Sequence, residues 1–328
     1  MEAHPIENGT EWNDLLKSCP DFNVLSTFEW GEFKKRSWDV RRLAFVDDGE
    51  FVGGAQLLLR RKLGLTVGWL PGGIQLTDFS ALAPALRRLS EDIGNGPFAL
   101  RINLLQELTP EKKTVISQVS ELVEARRHVW ISSTVLIDFD HYADFLEPLS
   151  KSHRISYNKA LGQALTFEES PVSCGDFVRL HDEMVAFKKL HRKTLRLEDV
   201  ECAARILGDH LRMYSVRLAG ELVSACLILR FGSRAYYYLA ASNPKGRESF
   251  ASFFLIVRML DRLREEGMRQ FDFGGIAPER ENTRGITRFK TGFGGRTVPY
   301  AGEYDLSNNR LLCRVFNLAI GRKFRDQA

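Results

Sequence analysis

Several things are scarce in this chain, and each shortage removes a class of protein. Its 328 residues hold five cysteines, Cys19, Cys174, Cys202, Cys226 and Cys313, none in a Cys-x-x-Cys pair. An odd, dispersed set excludes a disulfide framework and offers no zinc-ligand spacing with histidine. Cys226, inside an apolar strand-like run, reads as a small buried residue. No apolar stretch reaches the ~18–20 residues of a bilayer-spanning helix, and the polar, acidic start MEAHPIENGTEWND lacks the pattern of a secretory leader. A cytoplasmic protein is therefore expected. Charge of one sign is lacking too. The 46 Lys/Arg and 42 Asp/Glu leave a net +4, so any nucleic-acid contact has to come from local clustering. No His/Asp or Ser/His pair stands out, no metal constellation is visible, and no heptad run long enough for a coiled-coil arm appears.

What is present fits a globular α/β protein. The hydrophobic share of 44% and charged share of 27% are ordinary, and the length suggests two domains with a core each. Ser26-Thr27-Phe28-Glu29 reads as a capping box opening a helix through Trp30, Phe33 and Lys34. Strands follow over Arg41–Val46, Phe51–Arg60 and Thr66–Leu70, the first two joined at Asp47-Asp48-Gly49. A helix carrying Leu82, Leu86, Leu89 and Ile93 on one side leads to a strand over Phe98–Leu104. Thr109-Pro110 starts another helix, and Trp130–Ile137 is a further strand. The pattern then repeats. Gly49-Glu50-Phe51-Val52-Gly53-Gly54-Ala55 corresponds to Gly220-Glu221-Leu222-Val223-Ser224-Ala225-Cys226, and both stretches continue into an aliphatic run and an arginine. In the second copy a strand over Ala235–Ala240 precedes a helix bearing Phe250, Phe253, Phe254, Val257, Leu260 and Leu263, with Gly267 as its stop. Two copies of hairpin, strand, helix and strand indicate tandem α/β domains with mixed sheets.

The stretch Phe271–Asp305, FDFGGIAPERENTRGITRFKTGFGGRTVPYAGEYD, carries the densest signal. Phe271 and Phe273 alternate with Asp272 as a short strand that should stop at Gly274-Gly275. Ile286, Phe289 and Phe293 recur at helical spacing, so one face is anchored and Lys290 is presented from a glycine-bracketed turn. A second strand runs over Thr297–Asp305. Two basic segments stand elsewhere. Phe187–Arg196 holds five Lys/Arg in ten residues with no acid, and serves equally as a cationic helix end complementing the dipole or as a phosphate contact. Lys151–Ala160 places Lys151, Arg154 and Lys159 near one helical face, for which a solvated surface is the simpler reading.

The runs FDFGGI, GITRFKTGFGG and YAGEYD, in that order, together with LSTFEWGEFK at residues 25–34, resemble the signatures of the Fem-type aminoacyltransferases. Several short motifs in sequence are far more specific than any one of them. The resemblance implies two tandem acetyltransferase-like (GNAT) domains. The family's final strand and helix return to the first domain, which gives domain one as 1–138 with 302–328 and domain two as 139–301. It implies transfer of an amino acid from aminoacyl-tRNA, as co-substrate, to an amine of a nucleotide- or lipid-linked cell-wall precursor, with no further cofactor. Carried over residue by residue, Lys34 beside Trp30 would hold the precursor's phosphates, helped by an arginine of the second domain, with Arg192 and Arg196 as candidates. Phe289 and Lys290 would stand near the reacting ester. The segment with Lys151 and Arg154 resembles a basic helix of the same group.

Such chemistry needs positioning, a neutral amine and stabilisation of a developing oxyanion, which a cationic Lys290 would supply. An alternative on the same fold is acyl-CoA-dependent N-acylation of a polysaccharide, lipid or secondary-metabolite amine. It calls for a glycine-rich pyrophosphate loop, and Asn243-Pro244-Lys245-Gly246-Arg247-Glu248 offers one glycine there. A third reading is a catalytically silent binding module.

Overall fold

The computed structural model describes residues 1–126, 128–129, 132–142, 144–189 and 195–323. Its internal contacts divide the chain into two units, Met1–Ser132 with Pro299–Ala328, and Ser133–Val298.

The first unit begins with β1 (Glu2–Pro5), α1 (Gly9–Lys17) and α2 (Phe28–Lys34). The cap of α2 is Thr27, whose side chain accepts from Trp30 N, one residue later than the capping-box pattern indicates. Ser26 instead donates its hydroxyl to Pro71 O, and the Glu29 carboxylate accepts from Asn13. There follow β2 (Asp39–Asp47), β3 (Glu50–Lys62), β4 (Leu65–Leu70), β5 (Ile74–Leu76), α3 (Leu82–Ile93), β6 (Phe98–Glu107), α4 (Pro110–Ser117) and β7 (Leu122–Glu124). Strands β1, β2, β3 and β4 pair antiparallel in that order, whereas β4 and β6 are parallel across the crossover through α3. Leu82, Ala85, Leu86 and Leu89 form the buried stripe of α3, and they close a core with Leu43, Phe45, Leu57, Leu100 and Ile102.

The second unit runs through β8 (Ser133–Asp138), α5 (Lys151–Leu161), β9 (Leu165–Ser170), α6 (Cys174–Lys188), α7 (Leu197–Leu207), β10 (Leu211–Leu218), β11 (Glu221–Phe231), β12 (Arg234–Ser242), α8 (Pro244–Glu248), α9 (Ala251–Glu265), β13 (Gln270–Ile276) and α10 (Arg284–Thr291). Trp130 and Ile131, at the start of the expected strand over Trp130–Ile137, lie outside the described residues. Sheet order is β8-β13-β12-β11-β10-β9, parallel only between β12 and β13. Phe271, Phe273, Leu255, Leu260 and Phe293 anchor this core, and Cys226 is buried within it. Finally β14 (Arg296–Ser307) pairs with β6 and β7, and α11 (Arg310–Lys323) follows.

The internal repeat is visible in backbone detail. Both hairpins turn on two residues with positive φ, Asp48 (49°) with Gly49 (82°) and Ala219 (49°) with Gly220 (84°), the twist-matched geometry of two-residue hairpins. Register shifts fall between Phe45/Val46 in one and Val216/Arg217 in the other. The residues skipped opposite them, Val52 and Val223, each give their carbonyl to the segment after a later strand. Val52 O accepts from Thr77 N (3.1 Å) and Val223 O from Asn243 N (3.1 Å). Two mixed α/β units are thus built on one plan. No helix of the described residues is long and apolar enough to cross a membrane.

Candidate active site

The second unit's candidate site is organised by an irregularity in β13. That strand does not stop at its glycines, as the sequence pattern indicates, but continues to Ile276 with a register shift between Asp272 and Gly275. Gly274 occupies the bulge at φ 69°, and a Cβ there would lie 3.2 Å from both the Tyr236 hydroxyl and Tyr237 O. Only glycine meets both conditions. The bulge turns Asp272 back on its own strand, so Oδ1 accepts from Gly274 N (2.7 Å) and from the Thr134 hydroxyl on β8. Parallel pairing of β12 with β13 ends at Tyr236 opposite Asp272. Beyond that point Lys290 reaches both strands. Its Nζ donates to Gly275 O (2.9 Å) and stands 6.0 Å from the Tyr237 ring centre.

Helix α10 holds Lys290 in place through aromatic packing. Phe293 is buried and stacks on Phe273 at 5.6 Å, while half-buried Phe289 meets Phe253 and Phe293 edge-on at 5.5 and 5.0 Å. Ile286, expected on this anchored face, is 51% exposed in the first turn of this short helix. His153 of α5 supplies the remaining clamp. Its Nε2 lies 2.9 Å from Phe289 O and its Nδ1 3.0 Å from the Ser150 hydroxyl. A carbonyl only accepts, so Nε2 carries the proton and Nδ1 accepts from Ser150. Burial pushes the ring's pKa down and keeps it neutral. A Cβ on Gly292 would come within 2.1 Å of His153 Cε1, which explains the glycine that follows the lysine's turn.

The two ionisable groups here are displaced toward each other. Burial draws the Lys290 ammonium from 10.5 down to about 8, with Asp272 opposing the change. Burial likewise raises the Asp272 carboxyl, and bonds from Thr134 and Gly274 together with the charge of Lys290 restrain the rise. Opposed shifts of a neighbouring acid and base mark candidate functional sites. The arrangement can present a weakly solvated cation in the opening between two strands.

In the first unit, Lys34 ends α2 with its ammonium 4.3 Å from the ring of buried Trp30 and 4.7 Å from that of Phe33. The helix is fixed from below by buried Arg42, which donates to Gln56 Oε1 (2.7 Å), Phe28 O (2.9 Å) and Glu32 Oε1 (3.0 Å). A Cβ on Gly31 would lie 2.3 Å from both the Arg42 and the Gln56 side chains. The Trp-Gly-Glu-Phe-Lys run therefore encodes close seating of α2 on β2 and β3, with the lysine displayed at its end.

The other basic candidates are differently placed. Arg196 precedes α7 and is engaged by Asp199 through a two-pronged contact, Nε to Oδ2 at 2.9 Å and Nη2 to Oδ1 at 3.1 Å. A phosphate there has to compete with that carboxylate. Arg192 lies outside the described residues. Lys151 and Arg154 are exposed on α5, with Arg154 donating to Leu146 O (2.9 Å) and Glu147 O (3.1 Å), and Lys159 sits over the Phe250 ring. Asp272, Thr134 and His153 were not singled out from the sequence. A carboxylate flanked by two phenylalanines ahead of a Gly-Gly pair was the available signal for the first, and nothing local marks Thr134.

Comparison with known proteins agrees with these motifs. Residues 213–320 match the FemAB family. Over 92% of its length the chain is 22% identical to the Lipid II:glycine glycyltransferase of Staphylococcus saprophyticus subsp. saprophyticus, covering 92% of that protein. It is 21% identical to the protein of the same name from Staphylococcus aureus, over 96% of this chain and 95% of that one. The first alignment spans 383 positions against 328 residues here, so that relative carries inserted segments. Among solved structures, FemX matches 97% of this chain and 100% of its own with a TM-score of 0.80 at 19% identity. A tandem GNAT protein from the clavulanic acid biosynthesis pathway matches 94% and 98%, with a TM-score of 0.54 at 11% identity.

Proposed function

We propose, from the premise that this chain is a Fem-type protein built of two acetyltransferase-like units, that it moves an amino acid from aminoacyl-tRNA to an amine of a phosphate-bearing, lipid- or nucleotide-linked peptidoglycan precursor. The relatives named as glycyltransferases of lipid II support transfer onto such an acceptor. The observation that carries the reading is Lys290, a cation held on the carbonyl of Gly275 where β12 and β13 part.

In the reaction the acceptor amine adds to the ester carbonyl of the donor, and the oxygen of that carbonyl takes up negative charge. An ammonium already stripped of much of its water is worth more to that oxygen than one in bulk solvent. Phe289 holds the lysine's turn by its ring and through the bond from His153 to its carbonyl. Collapse of the adduct forms the amide and expels the ribose oxygen, which takes up the proton that the attacking amine gives up. Lys34, displayed over Trp30, is assigned to the precursor's phosphates as a point charge.

The acyl-CoA alternative is less well supported. The one glycine of the candidate loop, Gly246, already gives its N–H to Asn243 Oδ1 (2.9 Å), and a Cβ there would meet Val223 O at 2.1 Å. That glycine answers a packing demand, and α8 is five residues long. Purified protein would be given radiolabelled aminoacyl-tRNA or acetyl-CoA in parallel, with a nucleotide-linked precursor peptide as acceptor. RNase-sensitive labelling is expected. CoA-dependent labelling would transfer support to the alternative, and labelling from neither donor would point to a silent binding module.

A further inference from the structure

Helix α11 has two unlike faces. Its inner face is fixed to the first unit's sheet by a polar cluster. Asn317 donates to Asp305 Oδ2 (2.6 Å) and accepts from Arg101 Nη2 (3.1 Å), while Arg101 Nε donates to Asp305 Oδ1 (2.7 Å). Arg101 and Asp305 are buried, so the orientation of the helix is well determined. The opposite face carries Leu311, Val315 and Leu318, exposed to 71%, 54% and 68%. Spacings of four and three residues put them on one stripe.

Charge gathers on the same segment. Residues 310–328 contain Arg310, Arg314, Arg322, Lys323 and Arg325 against the single acid Asp326, a net +4. The whole chain's formal charge is also +4, so everything before Arg310 sums to zero. Arg314 is exposed beside the apolar stripe.

We propose that the outward face of α11 docks on an anionic lipid surface. An aliphatic stripe with basic residues on an exposed amphipathic helix meets both layers of such a surface, with acyl chains against Leu311, Val315 and Leu318 and headgroup anions against the guanidinium groups. A second copy of the chain would bring two strongly cationic segments together, and a nucleic acid would leave the leucines uncovered. With 14 residues the helix lies on the bilayer and does not span it. The inference stands without the transfer chemistry, since it requires neither donor nor acceptor.

The test is co-sedimentation of the full chain with sucrose-loaded vesicles of phosphatidylcholine alone or mixed with phosphatidylglycerol. Binding is expected only to the anionic vesicles and should weaken as salt is raised. Arg310→Gln with Arg314→Gln should reduce it by on the order of twentyfold, at about fivefold per charge. Leu311→Asn, Val315→Asn and Leu318→Asn combined should abolish it without changing the melting temperature, since all three side chains are exposed. Failure to bind, equal binding to both vesicle types, or binding unchanged in the triple variant would overturn the proposal. So would a wild-type dimer, seen by analytical ultracentrifugation, that the triple variant dissolves, because the stripe would then belong to a second copy.

Discussion

Replacing Lys290 by methionine removes the charge while keeping nearly the same length and apolar stem. A fall in pKa from 10.5 to about 8 corresponds, at about 1.4 kcal/mol per tenfold change, to roughly 3 kcal/mol by which the fold disfavours the ammonium. Lys290→Met relieves that penalty but leaves Gly275 O without its donor, a loss of about 1–3 kcal/mol. At neutral pH the variant should therefore be as stable as the parent or slightly more so. The pH dependence separates the terms. Below about pH 8 the lysine is protonated whether folded or unfolded, and the penalty is constant. Between about 8 and 10.5 the unfolded chain binds the proton and the folded one does not, so parental stability rises with pH. Above 10.5 the difference is flat. Urea unfolding of both proteins at neutral pH and near pH 10 should show the parent gaining about 2.5 kcal/mol on the variant. Turnover should fall by about a hundred- to a thousandfold, as when one oxyanion-stabilising group is lost. Parallel stability curves would refute the buried-charge argument, and unchanged turnover would refute the role.

Two further outcomes follow from the geometry. Gly292→Ala places a methyl 2.1 Å from His153 Cε1 and should cost about 1–3 kcal/mol, measured by denaturation. Combining it with His153→Ala should recover at least about 1 kcal/mol relative to the sum of the single effects. Lys34→Ala should raise KM for the precursor by about ten- to a hundredfold, as for a lost charge-assisted bond, with kcat nearly unchanged. A fall in kcat at constant KM would remove Lys34 from acceptor binding.

Where sequence reasoning succeeded, the signal was local or repeated. The stripe of α3, the Thr109 cap and the paired hairpins all rest on short-range periodicity and turn chemistry, and all appear in the structure. Its errors share one cause. Ser26 with Glu29 fits a capping box and Thr27 with Trp30 does not, but the Ser26 hydroxyl is taken by Pro71, 45 residues away. Gly274-Gly275 reads as a strand end because the bulge is defined by partners on β8 and β12. Ile286 obeys the helical period of Phe289 and Phe293, yet periodicity says only which side chains share a face, not whether anything covers it. The same holds at the site. Lys290 was visible in its motif, but the Thr134–Asp272 and His153–Phe289 bonds join residues 138 and 136 positions apart.

The matched hairpins bear on which edits this architecture tolerates. A single offset relates Asp48 to Ala219, Val52 to Val223 and the two register shifts to one another, so neither copy has gained or lost a residue there relative to its twin. In a strand, one inserted residue flips every later side chain to the opposite face, and here it would also misdirect the carbonyl that steers the chain out of the sheet. The segments that follow, a three-residue strand, a single helical turn and a 12-residue helix in the first copy and a five-residue plus a 15-residue helix in the second, have been free to diverge. Engineered insertions should survive in those crossovers and fail within the hairpins.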